Sequence, residues 1–378
     1  MFGRCRSVKP LPGLPRRLDS RARSGHDRRP GTGGRGGGRR APAAEVPMGE
    51  RFPAGGHALV VGGSMAGLLA ARVLADHFER VTVVDRDRYP KGPEFRAGVP
   101  QSRHLHALLG RGQELLEGMF PGLVAELTAA GAVTIAWPAE ALSLAPAGWT
   151  RRFPTSVTVL SLTRPLLEWA VRRRVAALGR VRFAEGTEAV GLLADPDRRA
   201  VIGARLRDRG QPDGPAAELA AELVVDASGR DSRAPRWLEE LGYGAPPETR
   251  VNAFLGYATR YYRPPPGFAA DWRALYLRGV PPRHPRGGAL FPVEGDRWMV
   301  TLGGYGRDYP PTDEAGFLAY ACSLRSRVLY DAIKEAEPLT PVHGYRRTDN
   351  QLRHYDRLAR WPERFVVTGD AVCAFNPV

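Results

Sequence analysis

A glycine-rich turn at 62–67 (GGSMAG) and a carboxylate that follows it are the residues best suited to chemistry. Gly62 and Gly67 occupy the first and third positions of a G-x-G-x-x-G pattern, and Ser64 stands at the second. Such a turn lets backbone N–H groups approach a pyrophosphate at the start of a helix. Asp85, 23 residues after Gly62, is suitably spaced to accept hydrogen bonds from the hydroxyls of an adenosine ribose. The pattern predicts a dinucleotide-binding site and does not distinguish NAD from FAD.

The residues around this turn predict the elements that must position it. Ala58–Val61 is a short apolar run, as in buried parallel strands. From Met65 small and apolar residues recur at helical spacing through Leu74, and Val81–Val84 is a second apolar run that leads to Asp85. We therefore expect a strand, a helix and a second parallel strand, with the glycine turn between the first strand and the helix.

Two later segments also join an apolar strand to a polar turn. LVVDASGRDS (223–232) contains a strand that ends at Asp226, and FVVTGDAVCAFNPV (365–378) contains the strand Phe365–Thr368 followed by Gly369 and Asp370. Together with the glycine turn, and in this order, they resemble the aromatic hydroxylase class of FAD-dependent monooxygenases. Within that class, squalene-epoxidase-like and bacterial polyether epoxidases are the most similar, on the stretches GVPQSRHLHALLGRG (98–112), SLTRPLLEWAVRRRV (161–175), RWMVTLGGYGRD (297–308) and GDAVCAFNPV (369–378).

The resemblance covers residues 57–378 and implies FAD as the cofactor, with NAD(P)H as a transient electron donor. It implies an α/β fold in which a Rossmann-like βαβ FAD-binding domain of three-layer ββα architecture is joined to a smaller, sheet-based substrate domain. The expected ranges are a disordered tail at 1–55, the first part of the FAD-binding domain at 56–244, the substrate domain at 245–345, and a return segment of the FAD-binding domain at 346–378.

The resemblance also assigns cofactor contacts residue by residue. Arg103, expected just before a helix that begins near Leu105, would bind the FAD pyrophosphate, and Arg164, at the start of another helix, would reach the flavin or its phosphates. Asp370 would bind the ribityl or pyrophosphate region, and Asp226 would contact FAD and the nicotinamide nucleotide. Ala227 replaces the family's usual glycine, which leaves the nicotinamide contact open. The full set of expected cofactor-binding residues is Gly62, Gly63, Ser64, Met65, Ala66, Gly67, Asp85, Arg86, Arg103, Arg164, Asp226, Gly369 and Asp370.

Several of these residues have a plain structural alternative. Arg103 and Arg164 could lie at helix ends on the surface, because the chain has 55 Lys and Arg and nearly all are Arg. Asp226 could cap the following turn. His104 and His106 would point in different directions on a helix, so we expect packing or hydrogen-bonding roles for them and no metal site.

The region 245–345 reads as strands, including a hairpin through 294–296, with a helix near 316–324 that covers the sheet. Apolar and aromatic side chains in it suit a hydrophobic substrate, although core packing explains them equally well: Phe254, Tyr257, Phe291, Trp298 and Met299.

By resemblance, the activity would be epoxidation or hydroxylation of a hydrophobic secondary metabolite with O₂ through a flavin C4a-hydroperoxide. No catalytic acid or base can be named from the sequence. An FAD-dependent prenyl or alkene reductase remains an alternative, whereas halogenases are disfavoured because a W-x-W-x-I-P motif is absent. A third alternative is a truncated FAD-binding fragment with little activity, because the family continues past the position of Val378 into a glycine-rich turn and a helix.

The formal net charge of +15 comes mainly from residues 1–47, which hold twelve Lys and Arg and three acids. A nucleic-acid arm and a transit peptide are both poorly supported, since the segment lacks interleaved aromatic residues and an amphipathic face. We expect this tail to be disordered, expect translation to begin at Met48, and expect no nucleic-acid partner.

Three widely spaced cysteines form no disulfide or metal pattern, which suits the reducing cytoplasm. No uncharged stretch is long enough for a membrane span, so we expect no stable membrane insertion.

Overall fold

The computed structural model describes residues 56–376, so the predictions made for the arginine-rich tail and for Met48 lie outside the described residues. In the described range there are seven α-helices. They are α1 (Met65–Leu74), α2 (Gly110–Met119), α3 (Leu123–Ala129), α4 (Arg164–Ala176), α5 (Ala234–Glu240), α6 (Glu314–Cys322) and α7 (Val328–Ile333). Within these residues, no helix combines the length and apolar character needed to cross a bilayer.

The same residues form 22 strands. In chain order they are β1 (His57–Val61), β2 (Arg80–Asp85), β3 (Ala107–Leu109), β4 (Val133–Ala136), β5 (Ala141–Ala145), β6 (Gly148–Trp149), β7 (Thr158–Ser161), β8 (Val181–Glu185), β9 (Thr187–Ala194), β10 (Val201–Asp208), β11 (Ala217–Ala220), β12 (Leu223–Asp226), β13 (Glu248–Val251), β14 (Gly256–Arg263), β15 (Ala274–Leu277), β16 (Arg286–Val293), β17 (Arg297–Gly304), β18 (Glu337–Pro338), β19 (His343–Tyr345), β20 (Asn350–Arg353), β21 (Phe365–Val367) and β22 (Cys373–Ala374).

A five-stranded parallel sheet carries the glycine turn. Its order is β21-β12-β1-β2-β8, with β1 in the centre and every residue of β1 buried. On one face, Ala58 and Val60 pack in the same apolar cluster as α1 and α4. On the other face, Leu59 and Val61 pack against the antiparallel sheet β11-β10-β9. The βαβ unit and the three-layer ββα architecture predicted from the sequence are therefore confirmed.

A second, eight-stranded sheet has the order β18-β14-β17-β16-β15-β5-β6, with β19 paired to β14. Helices α6 and α7 cover one face, where Phe317 and Leu329 pack on Leu290 and Val300. The predicted hairpin is confirmed, since β16 and β17 pair through 294–296. Strands β5 and β6 come from residues before 150 and still join this sheet through β15. The proposed domain boundaries stay a prediction. Two three-stranded sheets, β13-β20-β22 and β3-β7-β4, complete the described fold.

One local prediction is wrong. The helix expected near Leu105 begins only at Gly110, because residues 107–109 form β3 and pair antiparallel with β7. His104 therefore lies in extended backbone before β3 and not on a helix. Residues 107–109 also fit the periodicity of the helix that follows them, so the sequence places the start of that helix too early. Pairing with β7 holds these three residues in a strand instead.

Candidate functional site

The glycine turn is shaped by close contacts that exclude larger residues. Gly62 has φ +98°, a left-handed conformation, and a Cβ on Gly67 would lie 1.7 Å from the Gly62 carbonyl oxygen. The next residue, Ser64, is the N-cap of α1, but its side chain caps no helix N–H group. Its hydroxyl instead donates to Glu168 at 2.8 Å. The first N–H groups of α1 thus have no side-chain acceptor and are suited to an anion.

A cavity of about 840 Å³ opens at this turn and runs to the eight-stranded sheet. It lies at the carboxyl ends of β1, β2 and β12, where ligands bind in open parallel sheets. Nine of the thirteen residues expected to bind the cofactor line it. They are Gly62, Gly63, Ser64, Met65, Ala66, Asp85, Arg86, Arg164 and Asp370.

Arg164 is a buried cation at the start of α4. It donates to the Ser64 hydroxyl at 2.9 Å and to Glu168 at 3.2 Å. Its Nε atom is buried and has no hydrogen-bond partner within residues 56–376. Burial, with a smaller contribution from Arg96, lowers the pKa of Arg164. Arg164 therefore lines the cavity as a cation with part of its hydrogen-bonding capacity unused.

Arg96 is a second buried cation, and the sequence analysis missed it. It donates to Glu168 at 2.8 Å and Asp87 at 2.7 Å, and it lies 3.4 Å from Asp85. Burial opposes its charge, yet Glu168 and Asp85 outweigh burial and raise the pKa of Arg96. Its Nη2 atom is buried and finds no hydrogen-bond partner in the described part of the chain. The only signal in the sequence was one arginine among many, in a segment without periodicity.

Asp85 supports the glycine turn directly. Its two oxygens accept the N–H groups of Gly63 and Asp87, each at 2.8 Å. The carboxylate is buried but still lines the cavity. Each oxygen accepts more than one hydrogen bond, so the same group can hold the turn and contact a ligand hydroxyl.

Asp226, in contrast, does not line the cavity. It is fully buried, accepts the Ser228 N–H at 2.9 Å, and is hydrogen-bonded by the Ser232 hydroxyl. Burial raises its pKa, and these hydrogen bonds oppose that shift. The carboxylate thereby shapes the turn at 227–232, whose backbone faces the cavity. These contacts match the structural alternative for Asp226, in which its carboxylate caps the turn that follows the strand.

Gly369 and Asp370 follow strand β21 and lie against the glycine turn at 62–67. Gly369 has φ +64°, and a Cβ there would lie 2.7 Å from the Ala66 Cβ. Asp370 lines the cavity, and burial raises its pKa against the opposing effects of Arg164 and Arg230.

Arg103 lies away from the glycine turn. Its guanidinium packs 4.5 Å from the centre of the Phe95 ring and lines a different cavity. The structure does not bring it to the residues with which it was expected to act. Gly67 also lies outside the cavity lining, because it packs against the backbone of the turn.

The far end of the main cavity is lined by aromatic and small residues of the eight-stranded sheet. Tyr257, Tyr276 and Tyr305 lie there beside Gly288 and Ala289. The other aromatic and apolar residues singled out from the sequence are not among those lining the cavity. Three of them, Phe291, Trp298 and Met299, are buried in packing clusters, and Phe254 is exposed.

His104 and His106 also line this cavity. The Nδ1 atom of His104 lies 2.8 Å from the Thr259 hydroxyl, and Nδ1 of His106 lies 2.8 Å from the His104 carbonyl. Burial is the main cause that lowers the pKa of each histidine to about 4. Both rings thus make hydrogen bonds, as expected, and both also face the cavity.

The three-layer fold and the cavity at its glycine turn define a dinucleotide-binding protein. Comparison with known proteins makes this specific, because the chain belongs to the FAD binding domain family, whose model matches residues 57–374. Protein Rv3254 of Mycobacterium tuberculosis (strain ATCC 25618 / H37Rv) is 34% identical over 331 residues, which are 85% of this chain and 68% of that protein.

Solved structures share the fold at low identity. The flavin-dependent brominase Bmp2 has a TM-score of 0.63 at 15% identity, over 85% of this chain and 73% of its own. The p-nitrophenol 4-monooxygenase PnpA from Pseudomonas putida DLL-E4 has a TM-score of 0.60 at 17% identity, over 86% and 75%. The resemblance to the aromatic hydroxylase class is confirmed, and the protein is an FAD-binding oxidoreductase. The narrower likeness to epoxidases stays a prediction.

The residues at the glycine turn fit FAD. Arg96 and Arg164 both line the cavity beside the uncapped start of α1, and within residues 56–376 each has one buried guanidinium nitrogen without a hydrogen-bond partner. An anion in the cavity would be attracted by both guanidinium groups and could accept hydrogen bonds from the first N–H groups of α1. A pyrophosphate has the charge and the acceptor oxygens that this donor set requires.

Proposed function

We propose that the protein is an FAD-dependent monooxygenase that epoxidises or hydroxylates a hydrophobic small molecule of secondary metabolism, with NAD(P)H as transient electron donor. The observation that carries this proposal is the single cavity that joins the glycine turn to the tyrosine-lined face of the eight-stranded sheet. A cofactor and a substrate held in one cavity can react without release of an intermediate from the protein.

In this proposal the residues at the turn divide the binding of FAD among them. The N–H groups of α1, Arg96 and Arg164 would bind the pyrophosphate, and Asp85 would accept a ribose hydroxyl. Asp370 would bind the ribityl or pyrophosphate region. Two of the expected residues, Asp226 and Gly369, would act by shaping the backbone that faces the cofactor.

When bound and reduced, FAD supplies the activation of O₂ and the transfer of one oxygen atom. The residues of this chain bind the partners, orient them and exclude water. His104 and His106 are neutral near neutral pH, since their pKa values are lowered to about 4, chiefly by burial. They can donate or accept a hydrogen bond there without adding charge to the site.

The substrate would lie against Tyr257, Tyr276 and Tyr305. The Tyr257 hydroxyl is hydrogen-bonded to Asn376. Within residues 56–376, the hydroxyls of Tyr276 and Tyr305 have no hydrogen-bond partner, and both side chains line the cavity. A largely apolar substrate with one or two oxygen atoms matches this lining, because the rings supply apolar area and the hydroxyls supply donors.

Isotope incorporation tests the proposal. The purified chain is saturated with FAD, and NADH or NADPH is added with a panel of hydrophobic alkenes and phenols under ¹⁸O₂. A monooxygenase gives a product that contains one ¹⁸O atom, together with substrate-dependent O₂ uptake. Saturation of an alkene under anaerobic conditions would identify the reductase alternative instead. An FAD-loaded chain that oxidises NAD(P)H to NAD(P)⁺ and, with every substrate, reduces O₂ only to hydrogen peroxide would contradict the proposal for this panel.

A further inference from the structure

A second cavity, of about 590 Å³, lies beside the main cavity, which is called the flavin cavity from here on because FAD is proposed to bind in it. Its lining includes Arg103, Arg346, His343 and Thr312, and no carboxylate of residues 56–376 lines it. This cavity thus has two cations and no acid among its described lining residues, whereas Arg96 at the main cavity is paired with three carboxylates.

Arg103 is the residue that marks this cavity as a binding site. Its side chain is half-buried, and its polar contact is Nη1 to His343 Nε2 at 3.4 Å. It lies within 4.0 Å of no carboxylate in the described part of the chain. Its positive charge therefore has no counter-charge within the described residues, and an anionic ligand would supply one.

Each of the two arginines of this cavity lies beside an aromatic ring. Arg103 lies 4.5 Å from the centre of the Phe95 ring, and Arg346, which is exposed, lies 4.7 Å from that of Tyr309. A guanidinium group over a ring is attracted by the negative face of the ring and still has N–H donors for a ligand. Burial and the positive charge of Arg103 lower the pKa of His343, so its ring is a neutral hydrogen-bonding group near neutral pH.

We propose that this cavity binds a phosphate or pyrophosphate group, with Arg103 and Arg346 as its cations. Planar guanidinium forks match phosphate oxygens in pairs, and the Thr312 hydroxyl adds a neutral donor. The cavity shares Pro100, His104 and Tyr345 with the flavin cavity, so the phosphate lies behind one wall of it.

Two sources can supply this chemistry. One is the nicotinamide nucleotide that donates electrons, and this source rests on the proposed function. The other is a phosphate carried by a substrate. The binding site itself depends on neither, because it is defined by residues that are separate from the glycine turn.

Titration of the FAD-saturated protein with inorganic pyrophosphate tests the site. Saturation with FAD keeps the glycine turn occupied, so the probe reports on other anion sites. We expect saturable binding by calorimetry, and a loss of about tenfold in affinity for each of the variants Arg103→Gln and Arg346→Gln. FAD content and the flavin absorption spectrum should stay unchanged in both variants.

Arg307→Gln is the matched control. Arg307 also lies over an aromatic ring, 4.4 Å from the centre of Phe254, and is absent from the lining of both cavities. It should keep wild-type affinity for pyrophosphate. An absence of saturable binding would overturn the proposal, and so would an equal loss of affinity in the control and in the Arg103 variant.

Reduction of the flavin by NADPH and NADH distinguishes the two sources. If the donor supplies the phosphate, Arg103→Gln raises the donor concentration needed for half-maximal reduction, about tenfold, and leaves the limiting rate unchanged. Loss of pyrophosphate binding with unchanged donor dependence also supports the site, and assigns it to a phosphorylated substrate. Failure of oxygen transfer alone would contradict only the proposed function, since pyrophosphate binding does not require it.

Discussion

Arg164 is the residue at which charge, burial and an unused donor coincide. We expect Arg164→Gln to weaken FAD binding by about ten- to a hundredfold, because a charge-assisted hydrogen bond contributes about 1.5–3 kcal/mol. Glu168 keeps its pairing with Arg96 in this variant, so the fold should persist. Quenching of flavin fluorescence during titration of the apoprotein measures the change. Arg173→Gln, on an exposed part of the same helix, should bind FAD normally. Equal affinities in the two variants would contradict this role.

Gly67 gives a second test at single-residue scale. A Cβ there meets the Gly62 carbonyl oxygen at 1.7 Å, so Gly67→Ala must displace α1 from β1. We expect a loss of about 1–3 kcal/mol in the free energy of unfolding, and impaired FAD binding. Urea unfolding and flavin titration measure the two effects.

Gly118→Ala is the matched control, since Gly118 lies within α2 with no atom within 4 Å of an added Cβ. It should stabilise the protein by about 0.5–1 kcal/mol, because alanine favours the helix. If both alanine variants changed stability and FAD affinity in the same direction, the packing explanation for Gly67 would be wrong.

The chemistry of the glycine turn could be predicted because its constraints are local. Gly62, Gly67 and Asp85 act within one βαβ unit, and their spacing carries the signal. The roles of Arg96 and Arg103 could not be predicted in this way. Both lie in the segment between β2 and β3, and which of them faces the glycine turn depends on how that segment packs on α4. The sequence of the segment has no periodicity that would predict this packing.

At the scale of elements, the hairpin between β16 and β17 is fastened to the start of α4. Glu294 accepts the Thr163 N–H at 3.0 Å, and the Thr163 hydroxyl also donates to it. Thr163 is the N-cap of α4 and precedes Arg164. A carboxylate at a helix N-terminus is also favoured by the helix dipole. The hairpin of one sheet thus sets the position of a cation that belongs to the other end of the cavity.

We therefore expect Glu294→Ala to weaken FAD binding as well as to lower the free energy of unfolding by about 1–2 kcal/mol. Asp313→Ala removes a comparable cap, since Asp313 accepts the Gly316 N–H at 2.8 Å at the start of α6. It should cost about 1 kcal/mol and leave FAD affinity unchanged. Flavin titration and urea unfolding of both variants provide the comparison. An unchanged FAD affinity in Glu294→Ala would show that the hairpin contributes stability only.

Elements with a strong local pattern were predicted well, and those defined by distant partners were not. Strands β1 and β12 are apolar runs that precede glycine-containing turns, and β2 is an apolar run that ends in an acid, so their sequences identify them. Strand β3 has no such pattern of its own, because its state is set by pairing with β7, about 50 residues later. The membership of β5 in the eight-stranded sheet likewise depends on β15, which is more than 100 residues away.

At the scale of the whole molecule, two histidines, His104, which is buried, and His106, which is half-buried, make stability depend on pH. The pKa values of His104 and His106 are about 4 in the folded protein, below the ordinary value of 6.5. As pH falls from 6.5 toward 4, the unfolded chain binds protons that the folded chain does not. The stabilising contribution is therefore complete above pH 6.5 and is lost below it, by up to about 3 kcal/mol for each histidine.

Urea unfolding at pH 7.5, 6 and 5 measures this dependence. His106→Gln should flatten the decline between pH 6.5 and 5 relative to the wild type. His77→Gln, at an exposed position, should follow the wild-type curve. A decline in His106→Gln as steep as in the wild type would show that other groups control the acid sensitivity.

The position of β1 at the centre of the parallel sheet has a consequence for synthesis on the ribosome. The strand β1 is made early, yet its neighbour β12 emerges only after about 160 further residues, and β21 after Phe365. At about 5–20 residues per second, β1 waits roughly 10–30 s for β12. During that interval a segment that is apolar except for His57, and buried in the folded protein, lacks one of its permanent neighbours. We expect the nascent chain to be a client of chaperones that bind short apolar segments, and its yield to depend on them.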